Sequence, residues 1–352
     1  QILNILCYDL VVDFPHFMKI LTKGWHMKAK SKNTLLAILL TLGLTSCAQL
    51  AEMSAPSPVA TEQTAAGAAE AGKFWAVFHG GKYDQIDELI ESHNRVMIQN
   101  PNEPITVSHL AWLHAWKLSE RSRIARPQAQ IIENAFVAKR LFEKAVALKP
   151  DEARYLGFEA SFTMTEASIL DDEKEKRRGY YMMKQAVSMW PEFNLFTSGY
   201  VLSRNASDSW QFKEGLEQQW ENLDVCFGEK VSRQAPNLQQ YLSQETTQGP
   251  KRACWNSWIA PHNWEGFFLN FGDMLARSND LKNAKVMYEA TKLSKTYKEW
   301  PYKDVAERRI ASLNQLPSLL NRNPPEDPEF TSMINSKFSC MGCHQATQSN
   351  AR

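Results

Sequence analysis

An all-α fold is predicted for this chain of 352 residues, on three observations. From Phe74 to about Leu320 apolar side chains recur at intervals of three and four, and no long stretch alternates as a half-buried strand would. Breaks in that periodicity fall at prolines and small polar clusters: Pro101 and Pro104, Pro127, Pro150-Asp151, Pro191, Asn205 to Asp208, Pro236, Pro250, Pro261 and Pro301. The helices also repeat. Ala138-x3-Phe142-x2-Ala145-x4-Pro150 returns 41 residues later as Gly179-x3-Met183-x2-Ala186-x4-Pro191.

A third copy, Leu281-x2-Ala284-x3-Tyr288-x2-Thr291, lacks the closing proline. A weaker fourth, Tyr83-x2-Ile86-x3-Ile90-x2-His93, follows Gly80-Gly81. The pattern resembles that of tetratricopeptide repeats: small residues where paired helices approach closely, aromatics between them, and proline ending the second helix. The resemblance implies a tetratricopeptide-like helical-repeat solenoid over residues 73–320. The spacings exceed the roughly 34 residues of that family, so insertions or degenerate repeats are expected, and an irregular helical bundle remains the alternative. Residues 228–260 depart from the pattern and accumulate Gln, Ser, Thr, Asn and Pro. They are expected to form an insertion pinned at its base by Cys226 and Cys254.

The N-terminal region reads as an export signal. Met27-Lys28-Ala29-Lys30-Ser31-Lys32 is basic, and Thr34 to Leu44 follows without a charge. That run is too short to span a bilayer but suits the apolar part of a signal peptide. It ends in Leu44-Thr45-Ser46-Cys47, which resembles the lipobox of bacterial lipoproteins. The resemblance implies a signal peptide over 27–46 and lipid on Cys47. Because Ala48 follows rather than Asp, it also implies outer-membrane sorting with the protein facing the periplasm. Residues 1–26, which carry Cys7, are expected to be a non-native upstream extension. Residues 47–72 are rich in Ala, Ser, Thr, Pro, Gln and Glu and are expected to be a flexible tether.

Charge excludes one class of partner. The formal net charge is +1. Without residues 1–46 there remain 35 basic and 37 acidic side chains, with no block of one sign, so no nucleic-acid partner is expected. Ten of the eleven tryptophans lie beyond residue 46, which implies large apolar contacts or concave aromatic surfaces.

The C-terminal segment, 321–352, is expected to be a linker and a cofactor-binding tail. Cys340-Met341-Gly342-Cys343-His344 is the attachment signature of a c-type haem. Two cysteines two residues apart can form thioethers to one haem, and the adjacent histidine can ligate its iron. One covalent haem c is therefore expected on Cys340, Cys343 and His344. Export then accounts for the remaining thiols, since an oxidising compartment favours a Cys226–Cys254 disulfide. Asn321 to Asp327 reads as a link, and Pro328 to Phe338 as a short helix that delivers the motif. Only eight residues follow His344. That excludes an ordinary class I cytochrome c domain, where a Met ligand follows many residues later. The late position is similar to that in cytochrome c′, but nothing upstream resembles its bundle. So short a tail cannot bury a haem by itself. The haem must dock on the helical body or on a partner.

A sixth iron ligand must come from upstream. His262, in the break Pro261-His262-Asn263-Trp264, ranks first. His79 precedes a double glycine, and Met333 lies near the motif. His109 and His114, five residues apart on one helix, face different ways and are not a ready pair. Five- and six-coordinate iron both remain open. No His-Glu-x-x-His, phosphate loop or nucleophile elbow is present, and Asp171-Asp172-Glu173 reads as a solvated turn. An electron carrier or a scaffold is thus expected rather than an enzyme. The first would pass single electrons through its haem to a redox protein. The second would assemble an envelope complex and use the haem as an accessory or sensor. Peroxide turnover would need an open iron site.

Overall fold

The computed structural model describes residues 55–255, 262–322 and 327–345. The proposed signal peptide, Cys7 and Cys47 lie outside them. Among the described residues there are α-helices and 3-10 turns and no strand, and none of the helices is long and apolar enough to cross a membrane. The fold is an all-α helical-repeat array in which successive helices pack on one another.

The first eight helices are α1 (Ala65–His79), α2 (Ile86–Gln99), α3 (Pro104–Ser119), α4 (Glu133–Leu148), α5 (Ala153–Leu170), α6 (Glu173–Met189), α7 (Pro191–Leu202) and α8 (Trp210–Phe227). The breaks fall at prolines as expected, but Pro104 and Pro191 open the following helices, occupying first-turn positions where the missing N–H costs nothing. The repeat register is the buried face. Ala138, Phe142 and Ala145 of α4 are buried, as are Gly179, Met183 and Ala186 of α6. A Cβ at Gly179 would stand 2.7 Å from Met164 Cγ and 3.0 Å from the Ala160 carbonyl, so that small residue sets the α5–α6 approach. The acidic cluster is a turn. Asp171 ends α5 in the left-handed conformation, and the Asp172 side chain caps α6 by accepting from the Lys174 and Glu175 N–H groups.

One boundary differs from expectation. Residues 65–72, assigned to the tether, are the first half of α1. Thr64 caps the helix by accepting from Gly67 N–H at 3.0 Å, and its own N–H donates to Glu103 Oε1 at 2.8 Å. The composition that looked like a linker is alanine-rich, and alanine is the best helix former once a neighbouring element supplies packing.

The second half contains α9 (Trp264–Arg277), α10 (Leu281–Ala290), α11 (Lys303–Ala311) and the short α12 (Leu316–Leu320). Between α8 and α9 the described part of the insertion consists of 3-10 turns at Leu238–Gln244 and Pro250–Cys254. Cys226 is bonded to Cys254 across a separation of 28 residues. Phe227 and Tyr241 stack at 4.0 Å inside the loop. Replacing both cysteines by serine is expected to lower stability by about 3–4 kcal/mol in the chain-entropy account. Urea denaturation of the oxidised protein against that variant measures the difference.

The tail returns to the body. Its last element, α13 (Met341–His344), packs on both α9 and α1. The stretch Pro328 to Phe338 is not the single helix expected. It forms two 3-10 turns, Pro328–Phe330 and Met333–Asn335, because the body satisfies its backbone. Arg309 donates to the carbonyls of Glu329 and Thr331 at 2.9 and 2.8 Å. Met333, Ile334, Phe338 and Met341 are all buried against the helical array.

Candidate functional site

The motif is held at its backbone. Glu120, just past α3, is fully buried. Its Oε1 accepts from the N–H groups of Cys340 and Met341 at 2.9 and 2.7 Å. Its Oε2 accepts from Trp116 Nε1 at 2.9 Å and Arg123 Nε at 2.6 Å. Burial raises its pKa, opposed by Arg123 and by these donors. From the other side Tyr200 donates to the Ser339 carbonyl at 2.8 Å and Trp300 to the Gly342 carbonyl at 3.2 Å.

α9 supplies the facing wall. Asn263 caps it, accepting from Gly266 N–H at 2.8 Å, and its own N–H donates to the Cys343 carbonyl at 2.9 Å. A Cβ at Gly266 would stand 2.2 Å from the Gly342 carbonyl oxygen, so only glycine admits the motif this close. These contacts place His262, the residue before the cap, against His344. Their rings are 5.1 Å apart and tilted by 57°. Nδ1 of each ring is buried without a partner.

The expected site residues therefore converge: Cys340, Cys343, His344 and His262 line one cavity. A second cavity shares Cys340 and His344 and is otherwise walled mainly by aromatics, including Phe74, Trp75, Phe78 and Trp112. His79 also reaches the motif, through a bond of 2.8 Å between its Nδ1 and the His344 carbonyl. Met333 lies beneath Gly342, within 2.4 Å of a Cβ built there. His109 and His114 do not join. The first stacks on Phe74 at 4.1 Å, and the second bonds Asn134 at 2.8 Å.

Burial sets the protonation states. It pulls His262 down to about 3, and it lowers His344 as well, with His262 and His79 adding to the effect. Both imidazoles are neutral at neutral pH, the form that ligates a metal. Burial pushes the Cys340 thiol up to about 12, with Glu120 adding to it, and raises Cys343 as well. These thiols are poor thiolate ligands as they stand. Among the described residues no group of three His, Cys, Asp or Glu could hold a metal ion. His262, His344 and the aromatic wall are the groups at this site that could hold a flat apolar cofactor.

Glu265, in the first turn of α9, is buried too. Thr296 donates to its Oε1 at 2.6 Å, while Oε2 has no partner. Burial raises its pKa above the ordinary 4.5. The folded state thus holds this proton to higher pH than the unfolded state. Its contribution to stability is complete below about 4.5 and declines as pH rises through the elevated folded value. Glu265→Gln is expected to flatten that part of the stability–pH profile and to raise the melting temperature at pH 7. An unchanged profile would exclude Glu265 as its source.

Sequence reasoning did not find Glu120 or Arg204, which lines the first cavity. Neither lies in a motif. The capping role of Asn263 had a visible signal, an Asn directly before an apolar run. No family model, curated protein or solved structure matches the chain.

Proposed function

We propose that this chain is a c-type cytochrome that transfers single electrons through one haem. Thioethers from Cys340 and Cys343 would hold the haem, with His344 and His262 as its axial ligands. The observation that carries the reading is the pairing of His262 with His344. Two neutral imidazoles, each with a buried and unpartnered Nδ1, lie 5.1 Å apart beside cavities that the two motif cysteines line. When bound, the haem supplies reversible one-electron chemistry. The protein's part is to attach it, to close both axial positions, to exclude water with the aromatic wall and to fix the motif through Glu120.

Closure of both faces favours electron transfer over peroxide turnover or gas sensing, which need an open iron position. The helical array would be the docking body for a redox partner. Export as a lipoprotein, with lipid on Cys47 and the protein facing the periplasm from the outer membrane, completes the proposal. It rests on the segment Met27–Cys47, and the Cys226–Cys254 bond suits the same oxidising compartment.

Optical spectroscopy of the purified full chain tests the reading. Low-spin spectra with sharp reduced α and β bands and no shift under carbon monoxide are expected. His262→Ala should turn the haem high-spin and carbon monoxide-reactive while leaving it covalently attached. A carbon monoxide shift in the wild type would sink bis-histidine ligation. A mass with no added haem would sink the whole proposal. If Cys340→Ser abolishes attachment yet leaves partner complexes intact, the scaffold reading replaces electron transfer.

A further inference from the structure

We propose that Arg204 is the anchor for a haem carboxylate, at the boundary between the inner cavity and an outer groove. The inference rests on the haem reading and adds the residue that meets the charged edge of the cofactor. Arg204, two residues past the end of α7, lines the same cavity as Cys340, Cys343, His262 and His344. It also lines a groove formed by α5, α6, the end of α7 and the start of α8, with Lys176, Arg177 and Trp210. Thr165 and Val201 are common to both spaces.

The side chain is exposed and lines both spaces. Among the described residues its guanidinium has no ion pair and no hydrogen bond, and Arg121, which also acts on it, carries the same sign. Tyr200 beside it spends its hydroxyl on the Ser339 carbonyl. The contrast is Arg154 in the second cavity. It is already held by both carboxylate oxygens of Glu152, at 2.8 Å each.

An unpaired guanidinium lining the cavity is available to a carboxylate. A haem brings two ionised propionates, and a guanidinium fork matches a carboxylate bidentately. The missing charge at Arg204 is thus one that the cofactor carries. A fixed cation there also favours the reduced haem, which has one positive charge fewer.

Spectroelectrochemical titration of the haem-loaded full chain tests this. Arg204→Gln is expected to shift the midpoint potential to more negative values. Arg204→Lys should recover most of the shift, and Arg177→Gln, in the groove but outside the cavity, should stay at the wild-type potential. Arg204→Gln at the wild-type potential overturns the proposal, and so does Arg177→Gln shifting as far as Arg204→Gln. Should Arg204→Gln not fold, Arg204→Lys carries the test. It keeps the charge and loses the fork, so a carboxylate band in the reduced-minus-oxidised infrared spectrum should move, and an unmoved band overturns the proposal. A wild-type chain lacking covalent haem ends both readings, whereas a haem-bearing chain that fails these tests ends only this one.

Discussion

Asp273→Ala is expected to destabilise the protein by about 3–5 kcal/mol and to free its tail, because it strands a buried cation. Asp273 and Arg309 are 2 % and 1 % exposed and pair at 3.0 Å. Asp273 Oδ1 also accepts from Tyr288 at 2.8 Å, and Oδ2 accepts from Met333 N–H at 2.9 Å. The other two guanidinium nitrogens of Arg309 hold the Glu329 and Thr331 carbonyls. One carboxylate therefore connects α9, α10, α11 and the tail. Its removal leaves Arg309 without a counter-ion and the Met333 amide without an acceptor. Urea denaturation reads the loss, and limited proteolysis reads the release of residues beyond 327. A variant with the wild-type denaturation midpoint and an uncut tail would show that apolar burial alone holds the segment.

Glu120→Ala should cost about 3 kcal/mol, since it removes the acceptor for two consecutive backbone N–H groups and for the Trp116 indole. The effect on the site is specific. The N–H groups of Cys340 and Met341 would lie unpaired in a buried position, and the motif would be released from α3. Glu120→Gln keeps one acceptor oxygen and should cost roughly half as much. Denaturation gives the energies. Hydrogen exchange at Cys340 and Met341 gives the local effect, and exchange there at the wild-type rate in Glu120→Ala would refute the role. In the haem-loaded protein the same variant should broaden the low-spin spectrum, because His344 would lose its fixed backbone.

Much of the fold was legible in the amino-acid pattern because its causes are local. The 41-residue repeat from Ala138 and Gly179 marks the buried stripes of α4 and α6, and a stripe needs only the helical period to appear. Proline positions and the Asp172 cap were readable for the same reason. The first turns of α1 were not. Ala65 to Gly72 reads as a tether until Glu103, 39 residues beyond Thr64, receives the Thr64 N–H. The tail between Pro328 and Phe338 misled in the opposite sense, since its backbone partners lie on Arg309 and Asp273.

The sequence by itself determined the chemistry on offer: two cysteines and a histidine at the spacing of a haem attachment motif, a spare histidine at a break, and two further cysteines placed to bridge. Spacings of a few residues are set by covalent geometry, so they survive in one dimension. The tertiary structure alone decided which of these meet. His262 and His344 are 82 positions apart, and their rings lie 5.1 Å from each other because Asn263 donates to the Cys343 carbonyl and Gly266 lets the two backbones touch. Glu120 and Arg204 entered the site in the same way, through packing. Long-range pairing of this kind depends on which helical faces exclude water together, a property of the whole array that no short segment carries.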